Sequence, residues 1–196
     1  MIVVNTATED EISEIVATKL VREVVPNGVI GLRLRKGGFG YLRSSLSKFC
    51  QMAQREHVLL LADLDRQPCA PGLIASWAGG QRLPDKLLFR VPVREIEAWL
   101  LADRQGMAAL MGVSEASLPP EPDALPDPKQ ALLNAARNAG RSVRSELIVS
   151  RGAIASQGLG YNRVLSEYVS TSWNINRAVE RSASLRRAVT RLGALS

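Results

Sequence analysis

Val58-Leu59-Leu60-Leu61-Ala62-Asp63-Leu64-Asp65 is the stretch whose reading decides the fold. An apolar run with no polar alternation describes a strand buried on both faces, as in a parallel sheet covered by helices. The run ends on two carboxylates, and in open α/β sheets chemistry collects at the carboxyl ends of the strands. Residues two apart in an extended chain project to the same side, so Asp63 and Asp65 are expected to share one. Two such carboxylates repel unless a cation lies between them. Mg²⁺ suits the position, because it takes one or two carboxylates together with waters and substrate phosphates. The alternative is plainer: Asp63 caps the next turn and Asp65 pairs with Arg66 in solvent.

Upstream of this run, Ile2-Val3-Val4 is a β-branched first strand. Thr8 is expected as the following N-cap, with Glu11 completing a capping box. Ile12, Ile15, Val16, Leu20 and Val24 then fall on one helical face, and Pro26-Asn27-Gly28 ends the helix. A second strand over 29–34 leads through Lys36-Gly37-Gly38-Phe39-Gly40 to a helix over about 41–55. Downstream come a short helix near 73–78, a fourth strand at Leu87-Leu88-Phe89-Arg90-Val91-Pro92, and a helix from 95 to about 111 with a break at Gly106. Residues 113–128 contain Pro119, Pro120, Pro122, Pro126 and Pro128 and read as a connection. Beyond it the pattern is helical only: about 129–139, 143–149, 162–171, and 175–192 with a break near Ser182-Ala183-Ser184. The sum is an α/β core over 1–112 with a mainly parallel four-stranded sheet flanked by helices. The connection at 113–128 joins it to an α-helical extension over 129–196 packed on the core.

Charge divides the chain in the same place. Residues 1–129 carry 15 Lys/Arg against 16 Asp/Glu, and residues 130–196 carry 10 against 3, all ten of them Arg. Arginine pairs bidentately with phosphate, so a polyanion partner is one reading of the basic extension. An Arg-rich surface without a partner is the other. Two cysteines make no disulfide framework, no apolar run is long enough for a membrane span, and the start lacks the pattern of a secretory signal. A cytoplasmic protein with no membrane partner is the expectation.

Other chemistry-bearing residues are few. Glu9, Asp10, Glu11 and Glu14 open the first helix, where acids suit the helix dipole; one of them could also reach the edge that carries Asp63. Glu95 and Glu97 open the helix after the fourth strand, either as solvated acids or as members of the same site. The turn at Lys36, Gly37 and Gly38 can cradle a phosphate with bare amides, or simply join strand to helix. It lacks the Gly-Lys-Ser/Thr closure of a Walker A loop. His57 is the single histidine, and it precedes the third strand, opposite the expected chemistry. Cys50 lies on an apolar helix face, and Cys69 reads as a loop thiol.

Several stretches together resemble a known family. They are Lys36 to Gly40, Asp63-Leu64-Asp65, Glu95-Ile96-Glu97-Ala98-Trp99-Leu100-Leu101-Ala102-Asp103, Asp127-Pro128-Lys129, Gly160-Tyr161-Asn162 and Ser184-Leu185-Arg186-Arg187-Ala188. The chain resembles, over nearly its full length, an uncharacterised prokaryotic family of Toprim-like proteins (domain of unknown function 4276). That family is related to the Toprim domains of overcoming-lysogenization-defect nucleases. The resemblance implies a Toprim/Rossmann-like sheet with a Mg²⁺ (or Mn²⁺) site supporting phosphodiester chemistry. It implies Glu9, Asp63 and Asp65 as metal ligands, with Glu97 as a fourth acid of the catalytic set. The related pattern Glu-Gly-x-Thr-Glu falls on Asn5-Thr6-Ala7-Thr8-Glu9, where Asn5 replaces the first acid. Asn cannot act as a general base and weakens cation binding, which leaves a set able to hold one metal.

The leading expectation is therefore a Mg²⁺-dependent nuclease acting on DNA or RNA. Lys36, Gly37, Gly38, Arg177, Arg181, Arg186 and Arg187 would meet phosphates. The resemblance adds a role in phage defence beside an AAA- or ABC-type ATPase encoded nearby, and a homodimer is admitted. Two further readings stay open: a non-catalytic Toprim-like module that docks on such an ATPase, and a small-nucleotide phosphohydrolase.

Overall fold

The computed structural model describes residues 1–35, 39–149 and 157–195. In chain order the elements are β1 (Ile2–Ala7), α1 (Glu11–Val24), β2 (Gly28–Leu34), α2 (Phe39–Ser44), α3 (Leu46–Met52), β3 (His57–Leu61), α4 (Ala70–Ala78), β4 (Leu87–Arg90), α5 (Ile96–Ala102) and α6 (Arg104–Met111). Two short 3-10 turns at Glu115–Ser117 and Pro122–Ala124 lie in the Pro-rich connection. Then come α7 (Pro128–Ala136), α8 (Arg141–Leu147), α9 (Tyr161–Thr171), α10 (Ile175–Arg181) and α11 (Ala183–Gly193). The protein is thus α/β, with a four-stranded parallel sheet in the order β2-β1-β3-β4 and a helical C-terminal region. No helix among the described residues is long and apolar enough to cross a membrane.

The topology follows from the right-handed crossover rule. The chain moves from β1 to β2 in one direction and from β2 across to β3, then β4, in the other. Helix α1 therefore covers one face of the sheet, while α2, α3 and α4 cover the opposite face. Strand β3 records this directly. Leu59 and Leu61 join the core beneath α1, whereas Val58 and Leu60 join the core with Leu42, Phe49, Leu73 and Trp77. A side-chain period of two thus sends one continuous apolar run into two separate cores.

Three boundaries differ from expectation for local reasons. The N-cap of α1 is Asp10 rather than Thr8, since the Ser13 amide donates to Asp10 Oδ1 at 2.8 Å. The helix expected over 41–55 is two helices, parted at Ser45. The break after β4 falls at Asp103 rather than Gly106. Asp103 caps α6 by accepting the Gly106 amide at 3.1 Å, and a Cβ on Gly106 would collide with that carboxylate and with the Tyr168 hydroxyl.

Helix α5 is buried along its whole length, Ile96 to Ala102, which obliges every polar group on it to find a partner. The helical extension supplies these partners. Trp99 Nε1 donates to Ser184 Oγ at 2.7 Å, and Trp173 Nε1 donates to the Trp99 carbonyl at 3.0 Å. Asp103, fully buried, takes a bidentate pair from Arg177 (Nε to Oδ1 2.6 Å, Nη2 to Oδ2 2.8 Å) and the Asn174 amide at 2.9 Å. Residues from β1 through α11 consequently share one core. Removing one partner from a buried ion pair leaves an uncompensated charge, a loss of about 3–5 kcal/mol. Arg177→Met is expected to lower the urea unfolding free energy by roughly 3 kcal/mol, whereas Arg181→Met, on an exposed side chain, should leave it unchanged.

Candidate active site at the carboxyl edge of the sheet

Strands β1 and β3 are neighbours whose connections leave in opposite directions, so the gap beyond their carboxyl ends is the switch point of the sheet. Glu9 follows β1 by two residues and Asp63 follows β3 by two. The two meet: the Asp63 amide donates to Glu9 Oε1 at 2.9 Å. Pairing beside β4 continues past the strand, with the Leu64 amide on the Pro92 carbonyl at 3.1 Å and the Asp65 amide on the Arg94 carbonyl at 2.9 Å.

Asp65 departs from the expected geometry. Its φ is +50°, in the left-handed region, and Leu64 before it is buried in the core. The chain turns here instead of running extended, so the rule that places residues two apart on one side does not apply. Asp65 stands exposed at the rim, within electrostatic range of Glu9 and Asp63. Arg94 holds the turn, its Nη1 donating to the Asp65 and Gln67 carbonyls at 3.0 and 2.9 Å.

Glu97, in the first turn of α5, is the third acid of the edge. It is buried, and Tyr161 from α9 donates its hydroxyl to Glu97 Oε1 at 2.8 Å. The Lys129 ammonium lies 5.2 Å above the Tyr161 ring. Glu95 points elsewhere: its Oε2 accepts the Lys129 amide at 3.0 Å, so this carboxylate docks on the N-terminus of α7.

The acids raise one another's pKa values. Burial, then the Asp65 and Asp10 charges, push Glu9 up to about 7 against the pull of the Asp63 amide. Burial pushes Glu97 up to about 7 as well, opposed by the Tyr161 hydroxyl. Asp63 is raised well above the usual carboxylate range by burial first, then by Glu9, Glu97, Asp10 and Asp65. Among the described residues, no three His, Cys, Asp or Glu side chains lie together as a ready metal-ligand group. At this edge the Glu9 carboxylate rests on the Asp63 backbone amide, and the charges of Asp63, Asp65 and Glu97 act on one another around it.

The other expected residues separate clearly. Lys36, Gly37 and Gly38 lie outside the described residues. Asn5 is not at the edge. It stands inside β1 where one residue opposes two, Gly31 and Leu32, in a β-bulge. Its Oδ1 accepts the Leu32 amide at 2.7 Å and its Nδ2 donates to Glu56 at 2.7 Å. Asn5 therefore braces the sheet, and its oxygen is already used. Arg177 is corrected from a phosphate ligand to a structural residue by its pairing with Asp103. Arg186 is exposed but donates to the Val179 and Glu180 carbonyls at the end of α10, and Arg181 lies 3.8 Å from Glu180. Arg187 is exposed. His57 begins β3 at the opposite edge, as expected, and exposed Cys69 caps α4 through its Sγ. Tyr161 and Arg94 are the site residues that charge and spacing missed, although Gly160-Tyr161-Asn162 is one of the stretches that carry the family resemblance.

The raised carboxyls have a consequence for stability. Between their ordinary value near 4.5 and about 7, Glu9 and Glu97 hold more protons folded than unfolded. Stability contributed by these groups therefore falls as pH rises through that window. In EDTA the melting temperature is expected to decline from about pH 5 toward pH 7.5. Glu9→Gln should flatten this slope and raise the melting temperature above pH 7 by at least about 2 °C.

No family model, no curated protein and no solved structure matches this chain.

Proposed function

We propose that this protein is a metal-dependent phosphodiesterase acting on nucleic acid, with its reacting centre at the switch point of the sheet. One observation carries the reading: Glu9 and Asp63 follow neighbouring strands at that edge, Asp63 feels the charges of both Glu9 and Glu97, and all three carboxyls are held above the ordinary range. Such a cluster is unfavourable in a bare protein at neutral pH, and a divalent cation relieves it. The donor set fits Mg²⁺ or Mn²⁺. Its oxygens are hard, the Glu9 carboxylate lies at the Asp63 backbone, and Mg²⁺ needs only one or two carboxylates because it retains waters. Glu9 and Asp63 would hold the ion, with Asp65 at the rim.

Held by Glu9 and Asp63, such an ion would supply polarisation of a phosphate and a lowered pKa for an attacking water. The chain's own groups do the rest. The Tyr161 hydroxyl fixes one oxygen of Glu97, and a carboxyl with a pKa of about 7 can take or release a proton at neutral pH. Arg94 keeps the Asp65 turn in place beside it. The exposed arginines Arg181, Arg186 and Arg187 present positive charge to a polyanion.

Mg²⁺-dependent cleavage of single-stranded DNA and tRNA by the purified protein tests this reading. Asp63→Asn is expected to lower the cleavage rate by about a hundredfold or more, since it removes an oxyanion from the metal pair. Equal rates in the two proteins would overturn the assignment.

A further inference from the structure

The outer margin of β4 carries the opposite imbalance of charge. Arg90, the last residue of β4, is half-buried, and its Nε is buried without a hydrogen-bond acceptor. Arg187 of α11 lines the same hollow, and Arg191 follows one turn along that helix. Both act on Arg90 as like charges, and its pKa is lowered by burial and by their repulsion. Arg191 has an acceptor, the Asp85 carbonyl at 3.3 Å. Arg90 and Arg187 have neither a carboxylate nor a carbonyl acceptor among the described residues. Arg177 and Arg186, in the same helical extension, are both satisfied. Buried guanidinium donors are ordinarily paired, and a site that leaves them open suits an arriving anion.

The hollow measures about 510 Å³. Its floor is apolar, with Ile74, Phe89 and Val91, and Trp77 backs Phe89 with ring centroids 5.1 Å apart. The first turns of α4 and α11 line it through Ala70 and Ser184, adding positive helix-end potential. Two open arginines above an apolar floor match a phosphate joined to a flat, poorly hydrated ring.

We infer that this hollow is a phosphate-binding subsite for a nucleotide unit of a nucleic-acid strand, its phosphate held between Arg90 and Arg187 and its base against Pro71 and Ile74. Arg90 pairs in register with Leu61, two residues before Asp63. One strand across and two residues along a sheet is roughly 8 Å, so a single strand can meet both the hollow and the carboxylate edge. The inference rests on the nucleic-acid reading for the source of the phosphate, but not on catalysis.

The test is equilibrium binding in EDTA, where no cleavage intervenes. A short single-stranded oligonucleotide, a nucleoside monophosphate and inorganic phosphate are titrated into wild type, Arg90→Met, Arg187→Met and Arg22→Met. Both arginine variants are expected to bind the oligonucleotide about tenfold more weakly, with the slope of log K against log salt shallower by about 0.7 each. Arg22→Met, an exposed arginine in the last turn of α1, should bind as well as wild type. Arg90→Met should melt at or above the wild-type temperature, because the removed cation has no partner. Unchanged affinity and salt slope in both arginine variants would overturn the subsite. A lowered melting temperature in Arg90→Met with wild-type affinity would make Arg90 structural and overturn it too. A monophosphate that binds as tightly as the oligonucleotide would overturn the assignment to a strand. If Arg90→Met does not fold, exposed Arg187→Met decides. Loss of binding through Arg90 in a protein that never cleaves would count against the catalytic reading and leave the subsite standing.

Discussion

Burial of α5 is the constraint on which the rest of this structure depends. A seven-residue helix with no exposed position must satisfy Glu97, Trp99 and the flanking Asp103 inside the protein. Each does so with a residue from the far end of the chain: Tyr161, Ser184 and Arg177. The helical extension is thereby fastened to the sheet by directional bonds as well as by apolar packing. Its placement in turn fixes the site. Tyr161 reaches Glu97 because α9 lies against α1, and Glu95 sits on α7 because the Pro-rich connection delivers that helix N-terminus to the edge. Composition divides the chain at the connection, whereas packing does not.

What was legible in the sequence depended on the range of the interactions. The apolar run before Asp63 specified a doubly buried strand without reference to anything distant, and β3 is that strand. The break before Ala183 was legible for the same reason, since Ser182 caps α11 within its own turn. Asp10 and Thr8 are both good caps by residue type. Only the backbone at Asp10, extended with its side chain on the Ser13 amide, decides between them. Asp65 was misread because period-two alternation assumes an extended chain, and the chain turns into the left-handed region there. Arg177 was misread because charge counting shows a cation and not its partner, a buried carboxylate 74 residues away. The pattern of the resembled family set Asn5 in the place of a first acid. Its role became readable only once the bulge showed a Leu32 amide in need of an acceptor.

Glu97 illustrates why local rules and function are hard to part in a single sequence. An acid in a first helical turn needs no explanation beyond the dipole. Here that position is also buried, so the acid incurs a desolvation cost far larger than the dipole returns, and its pKa rises to about 7. Burial is a tertiary property, invisible in helix spacing. It turns a routine helix start into a titrating group at the edge where the strands end.

The two charge imbalances of the molecule are complementary. Carboxylates crowd the ends of β1, β3 and β4, and arginines crowd the outer margin of β4. The register of β3 with β4 keeps the two groups within a few residues of each other. Arg90 lines the hollow beside α11, while Glu9 rests on the Asp63 amide at the switch point, and no ion pair joins the two groups among the described residues. A neutral ligand would relieve neither, and a simple anion would relieve only the arginines while worsening the acids. A phosphodiester strand carrying a divalent ion brings a cation to the carboxylates and a phosphate to the guanidiniums in one event. Each half of such a ligand would meet charge of the opposite sign. This gives the nucleic-acid reading its physical coherence.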